Sequence, residues 1–176
     1  MNQLHKKIII ALSGLVVLLG LDQWTKYLAV RYLKGSEPIP IIKGVLELEY
    51  LENRGAAFGI LENKKVLFII MATVISVLMG YLYMKIPSKK RYLPLNAICV
   101  VIMAGAIGNS LIDRPIHGFV IDFIYFKLIN FPIFNVADCY VTISSVLTII
   151  LFTFIYKDEE LDELAKTILP KSKSKA

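Results

Sequence analysis

Four long apolar stretches dominate this chain and limit what it can fold into. They run over roughly Ile8–Val30, Val66–Ile86, Leu93–Asp113 and Cys139–Tyr156. A bilayer core of ~30 Å is crossed by about 20 helical residues. The fourth stretch is unbroken by charge. The first has a purely apolar run of only 14 residues, Ile8–Leu21. It reaches spanning length if the helix continues through Asp22-Gln-Trp-Thr-Lys26. Composition agrees: 56% of the 176 residues are hydrophobic, against ~45–50% in an ordinary soluble domain.

Lys6-Lys7 followed by an apolar run also fits a secretory signal peptide. No small-x-small cleavage site follows, and three further spans do, so the segment reads as a retained helix. The expectation is an all-α membrane protein of four transmembrane helices. It forms one multi-pass domain, 1–176, with spans at about 8–30, 66–86, 93–113 and 139–156. A loop at 31–65 carries a small extracytoplasmic β-rich cradle, and a cytoplasmic tail runs over 157–176. Two cysteines, Cys99 and Cys139, make no disulfide framework. The formal charge of +6 comes without a basic stripe interleaved with aromatics, so nucleic acid is not an expected partner. The basic residues flank the spans, where topology explains them.

With four spans both termini share a side. The loop between spans two and three packs Lys85, Lys89, Lys90 and Arg91 together with no acid among them. That density places both termini in the cytoplasm. Trp24, Tyr27, Tyr32, Tyr83, Tyr92, Tyr140 and Tyr156 fall near span ends, as interface belts do. Leu161, Leu164, Ile168 and Leu169 recur at helical spacing, predicting a short helix on the inner surface that Pro170 ends. The tail Lys171–Ala176 reads as solvated.

On this topology the unusual polar residues gather on the outer side. A transporter needs them along a path through both halves. Asp22 and Lys26 share a helix face, either as a structural ion pair or to order a head group or a loop. Val45–Leu51 alternates, with Leu46, Leu48 and Tyr50 opposite Glu47 and Glu49, and predicts a half-buried strand. Asn53-Arg-Gly-Ala-Ala-Phe-Gly59 follows as a turn. Span three ends Ala104-Gly-Ala-Ile-Gly-Asn-Ser-Leu-Ile-Asp-Arg114, and its small residues allow close helix approach. Pro115 is expected to stop that helix at Arg114. Asp113 and Arg114 read either as a pair and cap or, with Asn109, as a buttress for nearby carboxylates.

Those carboxylates are the sharpest feature. Asp122 lies in Phe119-Val-Ile-Asp-Phe-Ile-Tyr-Phe126 and Asp138 in Phe134-Asn-Val-Ala-Asp-Cys-Tyr140, both in apolar settings. Carboxylates near hydrocarbon are expensive and point to function. Asn135 reads as an N-cap, with Asp138 in the first turn. A helix N-terminus favours the ionised form of Asp138, and apolar neighbours favour the protonated form of Asp122. Two carboxylates sharing a proton can activate a water, as aspartic proteases do.

Together, Leu21-Asp-Gln-Trp-Thr-Lys26, Asn53–Gly59, Gly108-Asn-Ser-Leu-Ile-Asp-Arg114, Val120-Ile-Asp-Phe123 and Phe134–Asp138 resemble the five signature blocks of bacterial lipoprotein signal peptidase (signal peptidase II), in that family's order. The resemblance implies an intramembrane aspartic endopeptidase of the bacterial cytoplasmic membrane, active near the outer leaflet. It implies cleavage of diacylglyceryl-modified prolipoproteins just before the lipidated cysteine. Asp122 and Asp138 would be catalytic. Asp22, Lys26, Asn53, Gly55, Asn109, Asp113, Arg114, Asn135 and Ala137 would support the pair and the substrate. Partners are prolipoprotein substrates and membrane lipid, and the chain is expected to be a monomer. Ala104 stands where the family often has Gly, and Cys139 where it often has Ser, with modest effects on packing expected.

No cofactor or metal is expected: His5 and His117 are the two histidines, and no cluster has zinc spacing. One rival is a thiol protease built on Cys139 and His117, with Cys139 near a helix start. Another is a small proton-coupled transporter or assembly factor, which the missing inner polar path argues against.

Overall fold

The structure, a computed structural model, describes residues 2–55 and 64–169. Among the described residues, four helices are long and apolar enough to cross a membrane, and a small antiparallel sheet stands beside them. Helix α1 covers Gln3–Tyr32, with the Asn2 side chain accepting from Leu4 N–H as N-cap. Strands β1 (Ile39–Ile42) and β2 (Leu46–Asn53) follow, then α2 (Lys65–Lys85). The third span runs Lys90–His117 as a short 3-10 turn, α3 (Leu93–Ala106), a π-helical stretch (Ile107–Asp113) and α4 (Arg114–His117). Strand β3 (Val120–Tyr125) leads to α5 (Val136–Ile150), whose last turns, Leu151–Ile155, are π-helical. Helix α6 (Asp158–Ile168) ends the described chain.

The third span is the central one. Leu95, Ile98, Cys99, Val100, Met103, Ala104 and Gly105 are buried on α3, which packs against α1, α2 and α5. The other helices turn broad apolar faces outward, as Val16, Val17, Val74, Val77 and Ile149 do. Close approach at the centre rests on a missing side chain. A Cβ on Gly105 would lie 2.7 Å from the Ala137 carbonyl oxygen and 2.7 Å from Val141. Small residues are how helices come together in lipid, where hydrophobicity gives no drive.

Several expectations are corrected. Pro115 does not stop the third span at Arg114. The helix continues to His117 and ends at Gly118, with φ +83. Pro115 sits in the first turn of α4, where a missing N–H costs little. The cradle is not confined to the loop between helices 1 and 2: its third strand, β3, follows helix 3, and the order is β1-β2-β3. The predicted Val45–Leu51 strand is Leu46–Asn53, and its faces do not alternate cleanly. Glu47 is buried against Lys127 (3.0 Å), while Leu51 is exposed. A register shift between Leu48 and Leu51 is the cause, since a bulge re-aims side chains.

Apolar packing forms two clusters. One, at the end carrying the N-terminus, holds Ala11, Tyr83, Ile86, Tyr92, Leu95, Cys99, Val100, Tyr156 and Leu164. The other, at the sheet end, holds Ala29, Leu33, Ile121 and Phe123. Trp24, Tyr27 and Tyr32 are exposed, as an interface belt requires. Tyr83, Tyr92 and Tyr156 are instead buried, and their hydroxyls donate to the carbonyls of Lys7, Glu160 and Arg91. Helix α6 docks on this cluster through Leu161, Leu164 and Ile168. Pro170, the tail to Ala176, and Ala56–Gly59 of the predicted turn lie outside the described residues.

Candidate active site

Five separate pieces of chain deliver polar side chains to the sheet end. Helix α1 brings Asp22, Gln23 and Lys26; β2 ends at Asn53; the π-helical stretch and α4 bring Asn109, Asp113 and Arg114; β3 carries Asp122; α5 starts with Asn135, Ala137 and Asp138. A π-helical segment inside an α-helix is common at functional sites. Here it places Asn109 and Asp113 so that both reach the same ammonium group.

That ammonium is Lys26, 1% exposed. Its Nζ lies 2.8 Å from Asp22 Oδ2, 2.8 Å from Asp113 Oδ2 and 2.7 Å from Asn109 Oδ1. An ammonium has three donors and no acceptor, so all three are used. Gln23 Nε2 bridges the two carboxylates, at 3.1 Å to Asp22 and 2.8 Å to Asp113. Asp22 Oδ1 accepts the Ala137 backbone N–H at 3.0 Å, so a side chain of α1 caps α5. A Cβ on Gly108 would lie 2.7 Å from Asp22 Oδ2, so only glycine leaves room for this carboxylate.

Asn135 is the N-cap of α5, as its position predicts. Its side chain accepts from Asp138 N–H (3.1 Å), and its own backbone N–H donates to Asp138 Oδ2 (3.0 Å), a closed capping box. Asn135 Nδ2 reaches Asp122 Oδ1 at 2.6 Å, the Ile121 carbonyl at 3.2 Å and Asn109 Oδ1 at 3.0 Å. Asn109 Nδ2 donates to Asp138 Oδ1 at 2.8 Å. Asn53 Nδ2 donates to Asp122 Oδ2 at 2.7 Å, while Asn53 Oδ1 accepts from Gly55 N–H. Asn135 therefore touches both Asp122 and Asp138. Burial first, and the Asp138 charge second, push the Asp122 carboxyl up to about 7.

Arg114 is also buried. Its Nη2 donates to the Gly55 carbonyl at 2.6 Å, and its guanidinium stacks 4.0 Å from the Phe68 ring centroid. Its Nε and Nη1 have no partner among the described residues. A cavity of about 680 Å³ opens here. Its polar wall holds Asn53, Asn109, Arg114, Asp122 and Asp138, and its apolar wall includes Phe68, Phe126, Phe131, Phe134 and Ile143. Such a mix of apolar lining and a few convergent polar groups is usual for a binding cleft.

All eleven residues singled out in the sequence meet in this one assembly. Asn53, Gly55, Asn109, Arg114, Asp122 and Asp138 line the cavity; Asp22, Lys26, Asp113, Asn135 and Ala137 stand behind it. Gln23 escaped the sequence reading, although its place beside Asp22 was visible. The apolar wall between Phe126 and Phe134 also escaped it, although three aromatics fall there in nine residues. Cys139 lines the cavity, but His117 does not and stacks on Phe119 instead.

Comparison with known proteins gives the family. The profile of the family described as signal peptidase (SPase) II matches residues 14–154. A lipoprotein signal peptidase from Caldanaerobacter subterraneus subsp. tengcongensis is 45% identical over 128 residues, 72% of this chain and 84% of that protein. One from Clostridium tetani is 40% identical over 160 residues, 89% and 96% of the two chains. A solved bacterial membrane enzyme superposes with a TM-score of 0.74 at 32% identity, covering 86% of this chain and 93% of its own. The chain belongs to the signal peptidase II family.

Proposed function

We propose that this chain is a lipoprotein signal peptidase acting as an intramembrane aspartic endopeptidase. Its substrates are diacylglyceryl-modified prolipoproteins, cleaved just before the lipidated cysteine. Asp122 and Asp138 form the catalytic pair. The observation that carries this reading is their common setting: two carboxylates from different elements, both bonded to Asn135 and both on the wall of one largely apolar cavity.

One aspartate, as base, takes a proton from a water that attacks the scissile carbonyl. The other, protonated, hydrogen-bonds the carbonyl oxygen as charge develops on it. The tetrahedral intermediate collapses with proton donation to the leaving amine. Asp122, raised to about 7, suits the protonated role at neutral pH, and Asp138 then serves as base. The pair titrates as a unit. The N–H groups of Arg114 that have no partner among the described residues suit a substrate carbonyl, and the aromatic wall suits apolar side chains and lipid. The rest of the assembly holds the carboxylates in place.

The proposed setting is the bacterial cytoplasmic membrane, with 1–176 as one multi-pass domain, both termini cytoplasmic and the cavity near the outer leaflet. The basic loop Lys85–Arg91 supports that orientation. The chain is proposed to act as a monomer. To test the reaction, purified protein is mixed with diacylglyceryl-modified and unlipidated forms of one prolipoprotein, and products are weighed by mass spectrometry. Release of the signal peptide from the lipidated form alone is expected; equal cleavage of both forms contradicts lipid recognition.

A further inference from the structure

We infer that Lys26 is a positioning residue for the aspartate pair: it fixes the Asn109 amide so that this amide donates to Asp138, leaving Asp138 as the base and Asp122 as the proton carrier. The inference rests on the aspartic reading above and adds the residue that holds the two roles apart.

The geometry starts from what an ammonium can do. Lys26 Nζ has donors only, so the Asn109 atom 2.7 Å away must be the amide oxygen. Asn135 Nδ2 donates to the same oxygen at 3.0 Å. The orientation of Asn135 is fixed independently, because its Oδ1 accepts from Asp138 N–H. Two donors thus hold Asn109 Oδ1, and the Asn109 NH₂ group has to face Asp138 Oδ1, at 2.8 Å. The second Asp138 oxygen is held by the Asn135 backbone N–H.

The two aspartates differ in what stands behind their donors. The amide on Asp138 Oδ1 is backed directly by a buried cation. The amide on Asp122 Oδ2, from Asn53, is backed by the Gly55 backbone N–H, which is neutral. A hydrogen bond whose donor is polarised by a charge is the stronger, and chains of such bonds reinforce one another. The titratable groups facing the pair are Lys26 and Asp22 from α1 and Arg114 from the third span, with Cys139 beside Asp138 on α5; Asp113 acts on Asp22 and Arg114.

A purely structural Lys26 would only neutralise Asp22 and Asp113. The test separates the two roles by removing charge in balance. Lys26→Met combined with Asp113→Asn deletes one cation and one anion and leaves Asp22 to cap α5. Full-length protein in detergent is assayed on a lipidated prolipoprotein for kcat, KM and pH profile, alongside thermal midpoint. The expected result is a folded protein with nearly unchanged KM, kcat lower by about 10²-fold, and an acid limb moved to higher pH. Wild-type kcat and an unmoved acid limb in the folded double variant overturn the inference.

Should the double variant not fold, Asn109→Ser cuts the middle link and spares all Lys26 ion pairs. The same kcat loss and the same movement of the acid limb are expected there; an unmoved profile overturns the inference. Asp138→Asn runs beside both. If it keeps wild-type activity, the aspartic reading and this one fall together. If it is inactive while the double variant is normal, only the role of Lys26 falls.

Discussion

The two ends of this helical bundle solve the same problem in opposite ways. At the end carrying the N-terminus, helix ends are closed by tyrosine hydroxyls on backbone carbonyls around an apolar cluster. Charges there stay outside: Arg91 pairs with Glu160 and Lys89 with Glu163 on the exposed face of α6. At the sheet end the charges are inside. Lys26, Asp22, Asp113 and Asp122 are each at most 1% exposed. A structure that only needed to close its helices had the first solution available. Burying a charge costs several kcal/mol per ion before pairing offsets it, so the second solution points to chemistry.

This contrast is open to breakage at graded points. Lys26→Met leaves Asp22 and Asp113 facing each other without their cation. A loss of about 3–5 kcal/mol is expected, read as a large drop in thermal midpoint in detergent. Gly108→Ala drives a methyl against the Asp22 carboxylate. Overpacking of this kind costs about 1–3 kcal/mol, and activity should fall with it because Asp22 caps the helix that carries Asp138. At the other end, Glu160→Gln should scarcely move either midpoint or kcat. Although Arg91 holds the Glu160 carboxyl at about 2, the pair is exposed, and exposed ion pairs contribute little.

The pH dependence sharpens the same comparison. Asp122 binds its proton more tightly in the folded chain than an ordinary carboxylate, whose value is about 3.9. Its contribution to stability is therefore fully present below about 3.9 and is lost as pH rises through about 7. In catalysis, a role as proton carrier predicts an alkaline limb near 7 in kcat. That limb should disappear from the residual activity of Asp122→Asn. A limb that survives the substitution belongs to another group.

Much of this was legible in the sequence because it rests on local signals. Apolar runs of spanning length gave the four helices. Counting from their ends put Asp22, Asn109, Asp113, Asp122 and Asp138 at one end. The N-cap at Asn135 follows from its residue type and its place before an apolar span. What could not be read depends on packing between distant segments. Strand β3 shows no alternation because Val120, Ile121, Asp122 and Phe123 are all buried, and a run covered on both faces has no period of two. Tyr83, Tyr92 and Tyr156 looked like interface residues because a sequence shows an amphipathic ring, not the carbonyl that its hydroxyl will find. The π-helical stretch, which brings Asn109 and Asp113 to one ammonium, leaves no mark in composition. Ala137 was notable only through family resemblance; its work is done by a backbone N–H and by being small where α5 crosses α3.

The central claim is that Asp122 and Asp138 carry the reaction together. Its most direct test is signal-peptide release from a diacylglyceryl-modified prolipoprotein by wild type, Asp122→Asn and Asp138→Asn, with thermal midpoints measured on the same preparations. Each substitution should leave the protein folded and lower kcat by about 10⁴-fold, the upper range for a positioned acid or base. Cleavage at the wild-type rate by either folded variant would contradict the claim and return both aspartates to a structural role.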